Sequence, residues 1–346
     1  MRIRPVEQHD LPLLSCLWNA CAEAGEVLYA PLTEEAFCQK FDLTDPDKRE
    51  NLLVADTDGQ AVGMIHGVTP ESFPLAQPGN AYLTCLLVGK AYRGQGIGQA
   101  LLNALKVRMK ALGGQRLIIS NWNPVNLAWR VPGTPGHDHN NAPGVDTQCA
   151  GYGFFPRSGF HLDGRQISMY IDLSTYHMSP TIRQIQEKLL AEGIYTGVYD
   201  PQWNCGYDAL CDRVGSDYWR DVLRTEIAAW NNHEPNQDKR MWADGIRPSG
   251  PRPLLTAVHD GQIVGFTGPV DLQKSGRGWF TGICTDPTYG GKGIATVLFN
   301  LLMQAFVDEG ARFSTLFTGS ENHAQKIYLR AGLRPVREFA MMTLPL

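Results

Sequence analysis

The sequence predicts an α/β protein made of two tandem copies of one domain. A strand, a glycine loop and a helix follow one another twice along the chain, and a pair of short strands precedes them each time. Gly96 and Gly293 mark the two loops and lie 197 positions apart (293 − 96). A length of 346 residues is long for one domain and comfortable for two.

The composition describes a well-buried globular protein, with 43% apolar and 19% charged residues. A net charge of -4 gives no general attraction to nucleic acid or to an anionic membrane. The apolar runs are too short for a transmembrane helix, and the first residues lack the apolar stretch of a signal peptide. Eight cysteines without C-x-x-C pairs indicate reduced thiols. We therefore expect a cytoplasmic monomer or homodimer without nucleic-acid or membrane partners.

The first copy is predicted to alternate strands and helices. Its expected elements are a strand at 2–5, a helix over 11–24, strands at 52–55, 61–65 and 83–88, a helix from 97 to 112, and a strand at 169–173. Asp58-Gly59 favours a tight turn between the second and third strands. Residues 121–160 are rich in proline and glycine and predict a long irregular insertion, typical of a lid or substrate wall.

The second copy follows the same plan. Its expected elements are helices over 180–190 and 217–230, strands at 195–199, 254–258, 263–266 and 279–285, a helix ending at 309, and a last strand at 335–344. Asp260-Gly261 predicts the equivalent hairpin turn. The boundary is expected between Thr175 and Pro180, which gives domains 1–175 and 176–346.

Both glycine loops predict a site for a phosphate or pyrophosphate. Glycines that precede a helix leave backbone N–H groups exposed with no Cβ in the way. A Walker loop is excluded because Lys292 is followed by Gly293 instead of Ser or Thr. A dinucleotide fingerprint is excluded because the G-x-G-x-x-G spacing and its acidic residue are absent.

The loops and the segment 322–333 together resemble motifs A and B of the GCN5-related N-acetyltransferases. Motif A reads Gln/Arg-x-x-Gly-x-Gly/Ala after a strand and before a helix, and the first loop matches it fully, from Arg93 to Gly98. In the second loop Gly290 stands where the family has Gln or Arg. The resemblance implies two tandem acetyltransferase folds, each a mixed twisted sheet flanked by helices. This tandem arrangement is similar to the two-domain architecture of mycothiol synthases.

The resemblance also implies acetyl-CoA as the co-substrate and no metal. The pyrophosphate is held by backbone N–H groups of the loop, and the pantetheine arm pairs with the motif A strand, where an N–H can polarise the thioester. The residues implied in cofactor binding are Leu87, Val88, Arg93, Gly94, Gln95, Gly96, Ile97 and Gly98 in the first copy, and Ile283, Cys284, Thr285, Gly290, Gly291, Lys292, Gly293, Ile294, Ala295 and Asn322 in the second.

Tyr328 matches the family tyrosine that protonates the departing CoA thiolate. Aligning Gly159 on Gly332 puts Phe155 at the same place in the first copy, and phenylalanine has no proton to donate. Tyr152, one turn earlier if that segment is helical, is the alternative donor, though a less favoured one. The second copy is therefore the expected catalytic domain, and the first is expected to be structural with a retained CoA site. Asn322 fits either a cofactor contact or a helix cap.

These residues predict an N-acetyltransferase that acts on a small-molecule amine by direct transfer. Two alternatives stay open: a non-catalytic acyl-CoA-binding sensor or scaffold, and an acetyltransferase of proteins or peptides. The base that accepts the amine proton has several candidates, namely Glu226, Asp286 and the acidic residues of 231–253.

Three further groups of residues admit a functional interpretation beside a structural one. Cys284 fits an acyl-cysteine or, in better agreement with direct transfer, a buried structural cysteine. The histidines of His137-Asp138-His139 lack a third ligand, which favours a solvated loop over a metal site. Six aromatic residues are expected to pack or to line an acceptor pocket: Trp203, Tyr207, Tyr218, Trp219, Trp230 and Trp242.

Overall fold

A computed structural model describes residues 1–69, 76–130, 134, 143–202, 205–232 and 252–346. The strands in these residues are β1 (Arg2–Pro5), β2 (Leu52–Thr57), β3 (Gln60–Val68), β4 (Asn80–Val88), β5 (Arg116–Ile119), β6 (Val145–Asp146), β7 (His161–Asp172), β8 (Ile194–Val198), β9 (Leu255–His259), β10 (Gln262–Thr267), β11 (Arg277–Trp279), β12 (Ile283–Thr285), β13 (Phe313–Gly319) and β14 (Arg334–Pro345). The architecture is the predicted α/β one.

Helices lie between these strands in both halves of the chain. They are α1 (Leu11–Glu23), α2 (Glu34–Lys40), α3 (Pro46–Arg49), α4 (Ile97–Ala111), α5 (Phe154–Arg157), α6 (Pro180–Ala191), α7 (Tyr207–Val214), α8 (Asp217–Asn232), α9 (Ile294–Asp308) and α10 (Gln325–Arg330). The predicted long helices are all present, and α2 and α7 were not foreseen.

The chain divides into two compact units. The first comprises Met1–Ser168 together with Val336–Leu346, and the second comprises Met169–Pro335. The expected domains 1–175 and 176–346 stay a prediction. This division falls after Ser168 instead of Thr175, and it assigns the last residues, from Val336, to the first unit. Residues 342–345 of β14 pair antiparallel with β5, so the last strand belongs to the first unit.

In the first unit the strand order is β1, β2, β3, β4, β5, β14. The β2–β3 turn has the predicted tight form, since Asp58 and Gly59 both have positive φ (53° and 80°). One face of this sheet carries α4, whose buried leucines pack against residues such as Ile65 and Leu117. The other face carries α1 and α2, with Trp18, Phe37 and Phe41 as its largest fully buried residues.

In the second unit the order β12, β10, β9, β8 forms one sheet, and β11 pairs in parallel with β13. Asp260 and Gly261 repeat the positive φ values of the first hairpin (50° and 75°). A core beneath α7 and α8 includes Leu223 and Phe266. The predicted strand at 279–285 is broken, because residues 280–282 separate β11 from β12.

Candidate active site

The first glycine loop is a backbone cradle at the start of α4. Gly94 and Gly96 adopt positive φ (75° and 81°), and no atom lies within 4 Å of the place where a Cβ on either would stand. Gly96 is the N-cap of α4. Within the described part of the chain, the N–H groups of Gly94, Gln95 and Gly96 donate to no acceptor. Free N–H groups and the positive end of a helix together favour an anion.

Arg93 ties this loop to the rest of the first unit. Its Nε donates to the carbonyl oxygen of Val88 at 2.9 Å, and its Nη2 pairs with the carboxylate of Glu26. The guanidinium therefore fixes the end of β4 to the start of the loop. Gly98, the second residue of α4, lets the ring of Phe154 approach to 3.4 Å from the place of a Cβ.

Beside the loop, β4 separates from β5. The two strands pair in parallel only from Asn80 to Tyr82, so on that side no strand of the described chain pairs with 83–88. A β-bulge at Thr84 interrupts the pairing with β3, where His66 faces Cys85 and Gly67 faces Leu83. The opening forms a cleft of about 510 Å³, which reaches from the glycine loop along β4.

The bulge is held by buried polar groups. Nδ1 of His66 lies 2.7 Å from Oγ1 of Thr84, and Nδ2 of Asn123 donates to the Thr84 carbonyl oxygen at 2.8 Å. Burial lowers the pKa of His66 to about 3, so its imidazole is neutral at physiological pH. The hydroxyl of Tyr29 lies 3.5 Å from the same carbonyl oxygen.

The second glycine loop repeats the first in its backbone. Gly291 and Gly293 have φ of 78° and 93°, and Gly293 is the N-cap of α9. Its surroundings differ, because Cγ2 of Ile185 stands only 2.8 Å from the place of a Cβ on Gly293. Lys292 donates from Nζ to Oε2 of Glu192 at 2.7 Å.

The strands of the second unit also diverge beside the loop. β11 pairs with β13 at Phe313–Thr315, whereas β12 pairs with β10. Phe280 to Gly282 form the break between them. Oγ1 of Thr267 donates to the carbonyl oxygen of Gly282 at 2.8 Å and fixes it. The predicted pantetheine strand therefore lines the gap where β11 and β12 diverge; its residues are Ile283, Cys284 and Thr285.

Gly282 accommodates Trp219, and this close approach yields a testable expectation. Its φ is 145°, and Cη2 of Trp219 stands 2.1 Å from the place of a Cβ. Gly282→Ala should therefore destabilise the second unit by at least about 2 kcal/mol in urea unfolding. Gly310→Ala is the matched control, since Gly310 also has positive φ (88°) but has nothing within 4 Å. Equal losses would refute the steric argument.

Tyr328 lies on α10 beside the break in the strand. It is 5% exposed, and its ring centroid lies 5.7 Å from that of Phe280 and 4.9 Å from that of Phe299. Burial raises its pKa to about 12, so the phenol keeps its proton at neutral pH. None of the hydrogen bonds among the described residues involves its hydroxyl. A protonated phenol is the form that can act as an acid.

The alignment of Phe155 with Tyr328 agrees with the local backbone. Leu333 N–H donates to the Tyr328 carbonyl at 3.0 Å, and Phe160 N–H donates to the Phe155 carbonyl at 3.1 Å. Gly332 and Gly159 follow with φ of 100° and 92°. Both helices thus end in the same way.

The same offset of 173 positions relates Asn322 to Cys149, which the sequence analysis missed. Oδ1 of Asn322 accepts from Ala324 N–H at 2.9 Å, and its Nδ2 donates to Oγ1 of Thr318 at 3.0 Å. These bonds form a side-chain turn ahead of α10, whose N-cap is Ala324, and both interpretations given for Asn322 stay predictions. Cys149 occupies the equivalent turn and lines the first cleft.

The predicted bases have other partners. Glu226 is fully buried and pairs with Arg252, whose Nη1 lies 2.8 Å from Oδ2 of the buried Asp271. Burial would raise the pKa of Asp286, but hydrogen bonds from Thr288 and the ion pair with Arg213 outweigh it and lower that pKa. Both carboxylates therefore serve the structure.

The remaining candidates divide between structural roles and undescribed positions. Burial raises the pKa of the Cys284 thiol to about 12, which fits the structural interpretation. Trp219 packs edge-on against Phe266 at 5.4 Å, as a packing residue does. Several predictions lie outside the described residues or side chains: the metal question at His137, Asp138 and His139, the acidic residues of 233–251, and the aromatic residues Trp203, Tyr218, Trp230 and Trp242.

No helix in the described residues is long and apolar enough to cross a membrane. No curated protein matches the chain. Solved structures do match it. One of them is a GCN5-related glucosamine N-acetyltransferase region in a fungal multi-domain GH3 β-N-acetylglucosaminidase, at a TM-score of 0.61 and 16% identity, covering 99% of this chain. The present chain spans only 38% of that protein.

Two further structures match over nearly their whole length. A GCN5-related N-acetyltransferase from Sphaerobacter thermophilus has a TM-score of 0.57 and 17% identity, with 99% of this chain and 95% of that chain covered. A tandem GNAT protein from the clavulanic acid biosynthesis pathway has a TM-score of 0.54 and 15% identity, with 99% and 98% covered. At such identities these matches establish the fold alone.

The comparison with families settles the relationship. The acetyltransferase (GNAT) family model matches the chain twice, at residues 15–129 and 217–333, which together are more than half of it. Each match includes one of the two glycine loops. This family typically uses acetyl-CoA. The chain therefore belongs to the GNAT acetyltransferases and carries two copies of their fold.

Proposed function

We propose that the protein is an acetyl-CoA-dependent N-acetyltransferase that acetylates a small-molecule amine by direct transfer, with Tyr328 as the catalytic acid of the second unit. The observation that carries this proposal is the Tyr328 hydroxyl. It keeps its proton at neutral pH, forms no hydrogen bond with another described residue, and lies on α10 beside the break between β11 and β12.

The residues of both loops fit a CoA pyrophosphate. In the second unit the backbone N–H groups of 291–295 would hold it, and the open edge of β12 would pair with the pantetheine arm. Lys292 lies in the same loop, and its ammonium group forms an ion pair with Glu192. Bound acetyl-CoA supplies a thioester whose acetyl group passes to the amine.

Tyr328 acts on the leaving group. Expulsion of a thiolate is easier when a proton donor lies within hydrogen-bond reach as the tetrahedral intermediate collapses. The hydrophobic surroundings formed by Phe280 and Phe299 keep the phenol neutral and so keep it an acid. Because Glu226 and Asp286 are engaged in ion pairs, the amine proton leaves through water in this proposal.

The acceptor proposed is a small amine, and amino sugars are the first class to test. The fungal structure of similar fold contains a region described as a glucosamine N-acetyltransferase. Thiol release from acetyl-CoA, followed across a panel of glucosamine, amino acids, polyamines and peptides, tests this directly. Turnover with peptides alone would favour the protein-acetyltransferase alternative. Binding of acetyl-CoA without turnover of any amine would favour the sensor.

Calorimetric titration should find two acetyl-CoA sites. We expect Gly96→Val to remove one and Gly293→Val the other, because a branched side chain at either N-cap intrudes on the anion cradle. The second substitution also collides with Ile185, so it should lower stability as well.

Matched controls lie at the far ends of the same helices. Gly113→Val and Gly310→Val place the same residue at φ of 84° and 88°, with nothing within 4 Å, away from the loops. Both should keep two sites. A single site lost only with Gly96→Val would move catalysis to the first unit, and no binding at all would end the proposal.

A further inference from the structure

The first cleft contains a tyrosine that the family alignment does not provide. Tyr29 follows α1 and lines the cleft. Its hydroxyl lies 3.5 Å from the carbonyl oxygen of Thr84, the bulged residue of β4. The bulge stands at the end of the open strand segment away from the glycine loop, about four residues or roughly 13 Å along β4 from Val88.

The position of Tyr29 is fixed on both sides. Its ring stacks on that of Trp18, with centroids 4.7 Å apart and planes within 15°. Its backbone forms a bridge with Trp129, flanked by hydrogen bonds of 2.8 Å from Ala30 to Ala128 and 2.6 Å from Arg130 to Leu28. Such a side chain is held in place before any substrate arrives.

An acyl-CoA seated on the first loop would bring its sulfur towards this tyrosine. The pyrophosphate end is set by Gly94 and Gly96, and the free edge of 83–88 leads from there to the bulge. Phe155 occupies the place of the usual acid and has no proton to give. The tyrosine across the cleft does, since burial raises the pKa of Tyr29 and keeps its phenol protonated.

We propose that the first cleft is a second acyl-transfer centre, in which Tyr29 protonates the departing thiolate in place of a residue on α5. This inference rests on the proposed function, because it requires acyl-CoA at the first loop. It gives the first unit a reaction of its own, beyond the binding role expected from its missing tyrosine.

The step balances as follows. The amine nitrogen forms a bond to the thioester carbonyl carbon, and the carbon–sulfur bond breaks with its electron pair on sulfur. Tyr29 gives its proton to that sulfur. The nitrogen loses a proton to water in the cleft, and water returns a proton to the phenolate. The products are an amide and free CoA thiol.

Cys149 lines the same cleft but is less suited to be the donor. Its thiol is not fixed at the Thr84 bulge by any hydrogen bond of the described residues, whereas the Tyr29 hydroxyl lies 3.5 Å from the Thr84 carbonyl oxygen. Tyr152 N–H donates to the backbone carbonyl oxygen of Cys149 at 3.1 Å, within its own turn.

The test isolates the first centre with Tyr328→Phe. Acetyl-CoA and hydroxylamine are the probes, since this small amine needs no dedicated acceptor pocket, and the readouts are CoA thiol and acetohydroxamate. We expect Tyr328→Phe to retain measurable turnover. Adding Tyr29→Phe should lower it by about 10²-fold or more, with two acetyl-CoA molecules still bound by calorimetry. Tyr195→Phe, an exposed tyrosine of β8, is the control for loss of a hydroxyl.

Three results would overturn the inference, and each is distinct. Equal turnover with and without Tyr29→Phe would exclude this residue as the donor. No turnover in Tyr328→Phe with two molecules bound would exclude a second centre and leave the proposed function of the second unit standing. No acetyl-CoA binding to the wild-type protein would refute the proposed function as well.

Discussion

In a Gly96→Val background, Tyr328→Phe is expected to lower kcat by roughly 10²- to 10⁴-fold, the usual contribution of a general acid. The background removes the first acyl-CoA site, so the change reports on the second unit alone. Phenylalanine keeps the ring between Phe280 and Phe299 and deletes only the hydroxyl. The dissociation constant for acetyl-CoA should therefore stay the same, as calorimetry would measure.

The complementary change is Phe155→Tyr, which places a phenol at the equivalent position of the first unit. It should not restore activity in the Gly96→Val background, because that loop no longer holds a substrate. A kcat that is unchanged by Tyr328→Phe would mean that water protonates the sulfur. The proposed role of Tyr328 would then be excluded, whatever the acceptor.

The largest effect on stability is expected from Arg252→Met in the second unit. Arg252 is 3% exposed and pairs with both Glu226 and Asp271, which are 0% and 2% exposed. Removing this cation leaves two carboxylates in the interior, and breaking a buried pair in this way typically costs about 3–5 kcal/mol. Hydrogen exchange of the β9 and β10 amides would measure the loss in the unit concerned.

The loss should depend on pH in a defined direction. Burial raises the pKa of Asp271 from its ordinary 3.8 to about 6, despite the attraction of Arg252. When a carboxyl group has a higher pKa in the folded than in the unfolded protein, it favours folding most at a pH below the pKa of the unfolded state. This contribution to stability is lost as the pH rises through the pKa of the folded state. Without Arg252 that pKa rises further. Arg252→Met should therefore cost less stability at pH 5 than at pH 8.

Lys188→Met serves as the surface control. Lys188 pairs with Glu192 at 4.0 Å on the exposed side of α6, and such pairs contribute little. Similar losses from both substitutions would show that the buried pairs stabilise the second unit no more than a surface pair does.

Local signals allowed much of this fold to be predicted. Two hairpins and two loops depend on backbone conformations that few residue types adopt, so short sequence motifs identify them. They are the hairpins at Asp58-Gly59 and Asp260-Gly261 and the loops at Gly96 and Gly293. The family model and the similar tandem structure confirm the predicted α/β class and the tandem arrangement. The site residues, from Leu87 to Tyr328, stay predictions whose backbone setting is now described.

What the sequence did not disclose depends on distant partners. Two residues of other elements contact the break at Phe280–Gly282. The ring of Trp219 packs against Gly282, and Thr267 donates a hydrogen bond to its carbonyl oxygen. Tyr29 reaches Thr84 across 55 positions, and no motif joins them. Cys149 alone had a usable signal, since the offset that relates Phe155 to Tyr328 also relates it to Asn322.

The place of β14 in the first unit has a consequence for how the protein is made. The ribosome completes residues 1–168 and must then synthesise the 167 residues Met169–Pro335 before the strand that pairs with β5 exists. At about 5–20 residues per second this takes roughly 10–30 s. During that interval the nascent first unit presents the edge of β5 without its final partner, an exposed template of the kind that chaperones shield. A gene cut between residues 168 and 169 would separate the first unit from the last strand that completes it.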